Sequence, residues 1–312
     1  LTRQLMAAGH DVTCYTRGKS GKPPGGARHL SGDRQDRARF ETTMQKEKFD
    51  AAVDMICFTR EDALSDIRAF DNVQHFIQIS TVCTYGISYD WLPVSEEHPR
   101  RPITDYGRNK CAADDAFLAA HYSSDFPVTI VKPSTTYGPR MGLLRQIAWE
   151  FSWINRIRAG QPILVCGDGH AIHQFLHVDD AARGIVPMLG RQTCLGQTYN
   201  LVRRGFTNWR DYHRTAMQVL GREVDLVSIS MADLVPLGVP SHEICTTIFA
   251  HNCYYSSERL YRDVPEFQPR ISLAEGMRGV LEAMDADGRL AEAQPGNWED
   301  RIIHKISALH GN

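Results

Sequence analysis

Apolar positions in the first half of the chain follow two alternating rhythms. DVTCY (11–15), DAAVDMICF (50–58), VQHFIQIS (73–80) and PVTIVKPS (127–134) are short apolar or alternating runs bounded by turn residues, the signature of strands. A further short strand is expected around HLSGD, 29–33. Between these runs, LTRQLMAA (1–8), RARFETTMQKEKF (37–49), EDALSDIRAF (61–70) and the Ala-rich GRNKCAADDAFLAAHY (107–122) read as helices. Strands alternating with helices predict βαβ units, hence an α/β fold with a doubly wound parallel sheet. Past Gly138 the rhythm changes. GLLRQIAWEFSWINRIRAG (142–160) reads as one long amphipathic helix, and QPILVCG as a strand. HQFLHVDDAARGIVPML reads as a strand and then a helix begun at Asp179 or Asp180, and QTYNLV as another strand. TNWRDYHRTAMQVLG is a helix capped by Thr207 or Asn208, and SLAEGMRGVLEAMDAD a helix capped by Ser272. The expected organisation is a first domain over 1–138 and 174–205, with a smaller mixed α/β domain over 139–173 and 206–312.

Composition narrows the function classes. The chain has 312 residues, 42% of them hydrophobic, which is enough for one or two domains. A net charge of −2 gives no general pull toward nucleic acid or membrane. No apolar run approaches the roughly 20 residues of a membrane span. Eight Cys are scattered with no Cys-x-x-Cys pair, so a reduced, cytoplasmic protein is expected. The chain opens without Met on LTRQLMAAGH, which reads as the later part of a helix with no strand before it. We expect part of the native N-terminus to be missing.

The candidate chemistry centres on DYGRNK, 105–110. Tyr106 stands four residues ahead of Lys110, and on a helix that spacing puts both on one face. The second Tyr-x-x-x-Lys, Tyr15 and Lys19, follows a strand, where such residues lie more than about 10 Å apart. VQHFIQIS runs into STVCTYG, so Ser80 and Thr81 fall at the carboxyl end of a strand, where open parallel sheets bind ligands. A hydroxyl, a phenol and an ammonium then converge on one cleft. The ammonium lowers the phenol pKa, and the phenol exchanges a proton with a substrate oxygen while a nicotinamide cofactor carries the hydride. Spacing and placement alone leave open whether Tyr106 is catalytic or merely anchors its helix.

GHDVTCYTRG, GDRQD, FIQISTVCTYG, DYGRNK, VKPSTTYGPR, GDGHAIHQFLHVDDAARGI and QTYNL occur in this order, and through them the chain resembles the extended short-chain dehydrogenase/reductases, the NAD-dependent epimerase/dehydratases. The resemblance implies a Rossmann-like fold with a C-terminal substrate domain. It gives Thr81 the role of holding the substrate oxygen, Tyr106 that of acid/base, and Lys110 both tuning of Tyr106 and binding of the nicotinamide ribose. Arg17, Lys19, Asp33, Arg34, Ile56, Cys57 and Pro133 are the further cofactor-binding residues it implies, and Ser80, Cys83, Thr135 and His173 the substrate-side ones. The family opens with a strand and a Gly-rich turn that hold the pyrophosphate, and we expect these to be the part missing before residue 1. Where an acidic residue would hold the ribose of NAD, this chain has Arg17 and Lys19, which suit the 2′-phosphate of NADP. NADP is therefore the expected cofactor, with NAD the alternative. Met55, Ile56, Cys57 and Phe58 are larger than the residues the family places at this strand end.

The substrate side departs from the family. Thr135 and His173 stand where nucleotide-sugar enzymes often have Asn and Arg, which weakens a nucleotide-sugar reading in favour of a sugar-like or other polyol substrate. Dehydration is least favoured, because no carboxylate directly follows Thr81. His170, His173 and His177 suggest a metal, but no supporting ligand accompanies them and none is expected. The chain is similar also to the chloroplast stem-loop RNA-binding branch of the superfamily, so a non-catalytic, RNA-binding or regulatory protein is the alternative function. The charge balance and the intact Thr81, Tyr106 and Lys110 make nucleic acid the less expected partner. A homodimer is the expected assembly, by resemblance.

Overall fold

The computed structural model describes residues 1–19, 21–293 and 298–310. The chain divides into two compact units. The first comprises Leu1–Ser134, Val178–Val202 and Tyr255–Pro269; the second comprises Thr135–His177, Arg203–Tyr254 and Arg270–Asn312. Tyr255–Pro269, placed with the second domain from the sequence, clusters with the first. There Tyr255 bridges to Val94, and the Asn200 amide donates to the carbonyls of Val94 and Ser256, each at 3.1 Å.

The strands are β1 (Thr13–Thr16), β2 (Arg28–Ser31), β3 (Ala51–Asp54), β4 (His75–Ile79), β5 (Val128–Pro133), β6 (Thr135–Tyr137), β7 (Ile163–Cys166), β8 (Ile172–His173), β9 (Phe175–His177), β10 (Thr198–Leu201), β11 (Thr207–Asn208) and β12 (Leu226–Ile229). The helices are α1 (Thr2–Ala7), α2 (Arg37–Glu47), α3 (Arg60–Ala69), α4 (Asp105–Ser124), α5 (Ser152–Ala159), α6 (Val178–Ile185), α7 (Trp209–Leu220), α8 (Glu258–Asp263), α9 (Leu273–Ala286), α10 (Arg289–Glu292) and α11 (Trp298–His310). Among the described residues no helix is long and apolar enough to cross a membrane.

In the first unit β10, β5, β4 and β3 form a parallel sheet in that order, and β1 and β2 a separate parallel pair. The apolar run of β4 is buried throughout, as a central parallel strand requires. Phe76 packs there on Phe117 at 5.1 Å and on Phe70 and Phe126 at 5.5 and 5.6 Å. β3 is shorter than its apolar run. The Asp54 carboxylate accepts the Ile56 N–H at 2.6 Å and turns the chain, leaving Met55, Ile56 and Phe58 outside the strand. Helix starts follow their caps: Thr59 and Asp62 form a capping box on α3, and the Thr104 hydroxyl accepts from Gly107 at the head of α4.

In the second unit β6 and β9, and β7 and β12, pair in parallel, and β8 and β11 antiparallel. The long helix expected over 142–160 is a correction: only Ser152–Ala159 is helical. Residues 143–148 are all buried, so they present no polar face for an amphipathic helix to turn toward water. Arg145 instead turns inward onto Glu299 at 2.7 and 3.0 Å, and Gln146 donates to the Phe249 carbonyl at 3.3 Å. Glu150 then accepts the Ser152 N–H at 2.6 Å, and α5 starts.

Candidate active site

α4 places Tyr106, Lys110 and Asp114 on one face by their i, i+4, i+8 spacing. Gly107 sets how close its first turn comes to the strand end. A Cβ there would lie 2.7 Å from the Cys83 carbonyl and 3.0 Å from Pro102 Cβ, so only glycine admits the approach. Across that contact lies a short 3-10 turn, Val82–Tyr85, capped by Thr81, whose hydroxyl accepts the Cys83 N–H at 3.2 Å. The Thr81 hydroxyl pulls the pKa of the Tyr106 phenol downward. Tyr106 is 45% exposed and Thr81 7%, so the phenol faces outward over a nearly enclosed hydroxyl.

Lys110 is buried among polar groups of main chain. Its ammonium donates to the carbonyls of Cys57 and Ile79, both at 2.7 Å, and lies 4.9 Å from the Phe58 ring and 6.0 Å from the Tyr106 ring. The expected tuning runs the other way. Burial and then the neighbouring Cys83 thiol push the Tyr106 phenol above its ordinary value, the Thr81 hydroxyl pulls it back, and Asp114 pushes it up again. Burial in turn lowers the Lys110 pKa. In this arrangement Tyr106 is a protonated phenol.

Ser80 is a correction. Its hydroxyl is buried and donates inward to Asp114 at 2.9 Å. Asp114 pairs with Lys132 at 3.1 Å, Lys132 donates to the Thr84 hydroxyl at 2.8 Å, and that hydroxyl donates to the Thr81 carbonyl at 2.9 Å. This buried chain fixes both sides of Thr81, and nothing local in the sequence marks it. Ser80→Ala is expected to lose about 1–3 kcal/mol of stability, read from a urea midpoint, because it removes a buried hydrogen bond to a carboxylate oxygen that then keeps only the Lys132 ammonium. An unchanged midpoint contradicts that role.

Arg34 is a second correction. It is 6% exposed and pairs with Asp54 at 2.9 Å, Asp62 at 2.9 Å and Asp66 at 2.6 Å, a buried hub that turns its guanidinium toward the interior. Cys57 is a third: its side chain is buried in the core, and only its carbonyl faces Lys110. Burial pushes the thiol far above its ordinary pKa. The Cys83 thiol is raised for the same reason.

The remaining cofactor-side residues lie in the first unit. Arg17, exposed beyond β1, reaches Asp33 at 3.7 Å, and Lys19 is exposed beside it. Ile56 is 48% exposed, with Met55 at 52% and Phe58 at 45%, making an apolar patch after β3. Pro133 ends β5, two residues past the Ile79–Val131 pairing and so at the same sheet edge as Thr81. Thr135 and His173 lie in the second unit and meet each other, Thr135 Oγ1 to His173 Nε2 at 2.5 Å. His173 is 1% exposed among Phe175, Trp209 and Phe249, with centroids at 5.0, 5.2 and 5.1 Å, so its ring is enclosed rather than open to solvent. Among the described residues no group of three His, Cys, Asp or Glu side chains is placed to hold a metal.

Residues 60–201 match the NAD dependent epimerase/dehydratase family. The chain is 28% identical over 230 residues to the 2′-dehydrokanamycin reductase of Streptomyces kanamyceticus, covering 73% of this chain and 65% of that protein. It is 28% identical over 215 residues to the chloroplast stem-loop binding protein of 41 kDa b of Arabidopsis thaliana, covering 64% of this chain and 54% of that one. The chain thus spans less than two thirds of either relative's length. The UDP-glucose 4-epimerase of Thermotoga maritima superposes with a TM-score of 0.72 at 16% identity over 92% of this chain and 94% of that one, a likeness of Rossmann-type fold. The match to the NAD dependent epimerase/dehydratase family runs over β4, α4, β5 and α6, the part of the chain in which Thr81, Tyr106 and Lys110 lie.

Proposed function

We propose that this protein reduces a carbonyl group on a sugar-like substrate with NADPH. The observation that carries this reading is the Tyr106 phenol, kept protonated by burial on a helix turn that packs against the Thr81-capped turn at the carboxyl edge of a parallel sheet. A protonated phenol donates, and donation to a carbonyl oxygen is the proton half of a reduction. The likeness to a reductase favours the same direction over epimerisation or dehydration.

The residues present fit a nicotinamide dinucleotide. The apolar surface of Met55, Ile56 and Phe58 is one that a ring system would cover. Lys110 approaches the same edge from below, and exposed Arg17 and Lys19 can grip a 2′-phosphate. When bound, the cofactor supplies the hydride. Thr81 holds the substrate oxygen, Tyr106 Oη gives it a proton, and the buried ammonium of Lys110 offsets the negative charge then left on the phenolate. The Asp114–Lys132 pair keeps the Thr81 turn in place.

Titrating NADPH and NADH into the protein by nicotinamide fluorescence tests this. NADPH is expected to bind at least about tenfold more tightly than NADH, and Arg17→Ala to remove that difference, since one charge-assisted phosphate contact contributes about 1.5–3 kcal/mol. With NADPH bound, 2′-dehydrokanamycin, the compound in the relative's name, is the first ketone to assay. Binding of neither cofactor would end the enzyme reading, and would favour a non-catalytic role such as the stem-loop binding of the Arabidopsis relative's name.

A further inference from the structure

After β3 the chain leaves Met55, Ile56 and Phe58 half-exposed, with Cys57 buried between them. Apolar side chains open to water do not hold their own position, so the main chain behind them must be fixed. Residues 56 to 58 are fixed one after another. The Ile56 N–H donates to Asp54 Oδ1 at 2.6 Å. The Cys57 carbonyl accepts from the Lys110 ammonium at 2.7 Å and from the Gln78 amide at 3.3 Å. The Phe58 N–H donates to Asp62 Oδ2 at 3.1 Å, and the Thr59 N–H to the same oxygen at 3.2 Å.

The two carboxylates in this set are joined. Each gives one oxygen to the segment and turns the other to Arg34: Asp54 Oδ2 lies 2.9 Å from Nη2, and Asp62 Oδ1 2.9 Å from Nη1. A planar guanidinium has the fixed fork that such a bridge needs. Asp54 ends β3 and Asp62 stands in the first turn of α3, so the bridge spans the whole segment between strand and helix. Asp66, one turn further along α3, pairs with the same guanidinium at 2.6 Å. Among the described residues it holds no N–H of the segment, and its Oδ2 has no hydrogen-bond partner.

We propose that Arg34 is a positioning residue for the cofactor wall. Through Asp54 and Asp62 it fixes the main chain of residues 56–58, and with it both the apolar surface and the carbonyl that seats Lys110. The proposal rests on the reading of Met55, Ile56 and Phe58 as the surface that a nicotinamide dinucleotide covers. Its signature differs from that of Arg17. Arg17 meets a phosphate that NADPH has and NADH lacks, whereas the wall meets what the two cofactors share. Loosening the wall therefore weakens both alike and leaves their ratio unchanged.

The test compares Arg34→Lys with Asp66→Asn in the full chain. Arg34→Lys keeps the charge but replaces the fork with a single ammonium. Without cofactor, amide hydrogen exchange in a peptide spanning residues 55–59 is expected to quicken by about tenfold or more, while peptides of β4 and β5 keep wild-type rates. The Kd values of NADPH and NADH are expected to rise together by about three- to tenfold, the scale of one lost hydrogen bond. Asp66→Asn disturbs the same buried pairing away from the segment, so it is expected to lower the urea midpoint with wild-type exchange at 55–59 and wild-type Kd values. The proposal is overturned if Arg34→Lys leaves exchange at 55–59 unchanged, if Asp66→Asn speeds it equally, or if it quickens while both Kd values stay put. A wild type that binds neither cofactor overturns the nicotinamide reading instead, and the exchange arm still decides whether Arg34 holds the segment. Should Arg34→Lys fail to fold, Asp54→Asn runs the same test: an amide has one oxygen and keeps only one of the two bonds, to Ile56 or to Arg34.

Discussion

Tyr106→Phe is expected to lower turnover of a carbonyl substrate by roughly 10²–10⁴-fold while leaving NADPH affinity unchanged. At about 1.4 kcal/mol per factor of ten, the barrier rises by about 3–5 kcal/mol. Phenylalanine keeps the ring that faces Phe58 at 6.3 Å and lies over the Lys110 ammonium, so packing and fold should survive. Only the proton is removed. The pH profile separates this role from a structural one. With its pKa raised by burial, the phenol stays protonated through neutral pH, so wild-type reduction is flat there and falls only above the ordinary phenol value of about 10. The variant should lack that limb. A Tyr106→Phe protein with near wild-type turnover, or with the same alkaline limb, would remove Tyr106 from the reaction and leave Thr81 without an acid to orient toward.

What was legible in the sequence is what depends on neighbours a few residues apart. Tyr106 and Lys110 stand one helical turn apart, so their shared face follows from spacing, and β4 was legible as a short, largely apolar run between turn residues. What was not legible depends on partners far along the chain. Ser80 looked like a second candidate hydroxyl, and only the fold shows it turned inward on Asp114, 34 residues away. Arg34 sat in a turn beside Asp33, another candidate cofactor residue. Its three carboxylates come from β3 and α3, and burial among them decides its role. Arg145 suggested the polar side of a long helix, whereas its partner Glu299 lies 154 residues on. In each case a charged or polar side chain that seemed destined for water or ligand was recruited to the interior. Such recruitment needs a full set of partners, and no local pattern lists them.

Acidification from pH 7.5 to pH 5 is expected to destabilise the second unit by about 4 kcal/mol through two buried histidines, His173 and His213. Both rings are under 2% exposed, and burial holds both pKa values down to about 3, the nearby Arg145 guanidinium adding to the effect at His213. An unfolded histidine titrates near 6.5. Because the folded value is the lower one, the stabilising contribution is complete above pH 6.5. It is lost as pH falls, at about 1.4 kcal/mol per unit for each ring, until the folded rings themselves protonate near pH 3. A charge at His213 would sit within an aromatic enclosure, with Trp153 at 5.2 Å and Tyr212 at 5.7 Å, and a charge at His173 beside Trp209 at 5.2 Å. The same tryptophans supply the signal, so urea midpoints by fluorescence at pH 7.5 and pH 5 read the unit directly. His213→Phe keeps a ring of similar shape and should recover about 2 kcal/mol of the loss at pH 5, with little change at pH 7.5. His173→Phe should recover as much at pH 5 but pay about 1 kcal/mol at both pH values for the Thr135 hydrogen bond. If the wild type and His213→Phe lose the same stability between the two pH values, the His213 ring is protonated without cost in the folded chain, and its enclosure does not control the acid response of this unit.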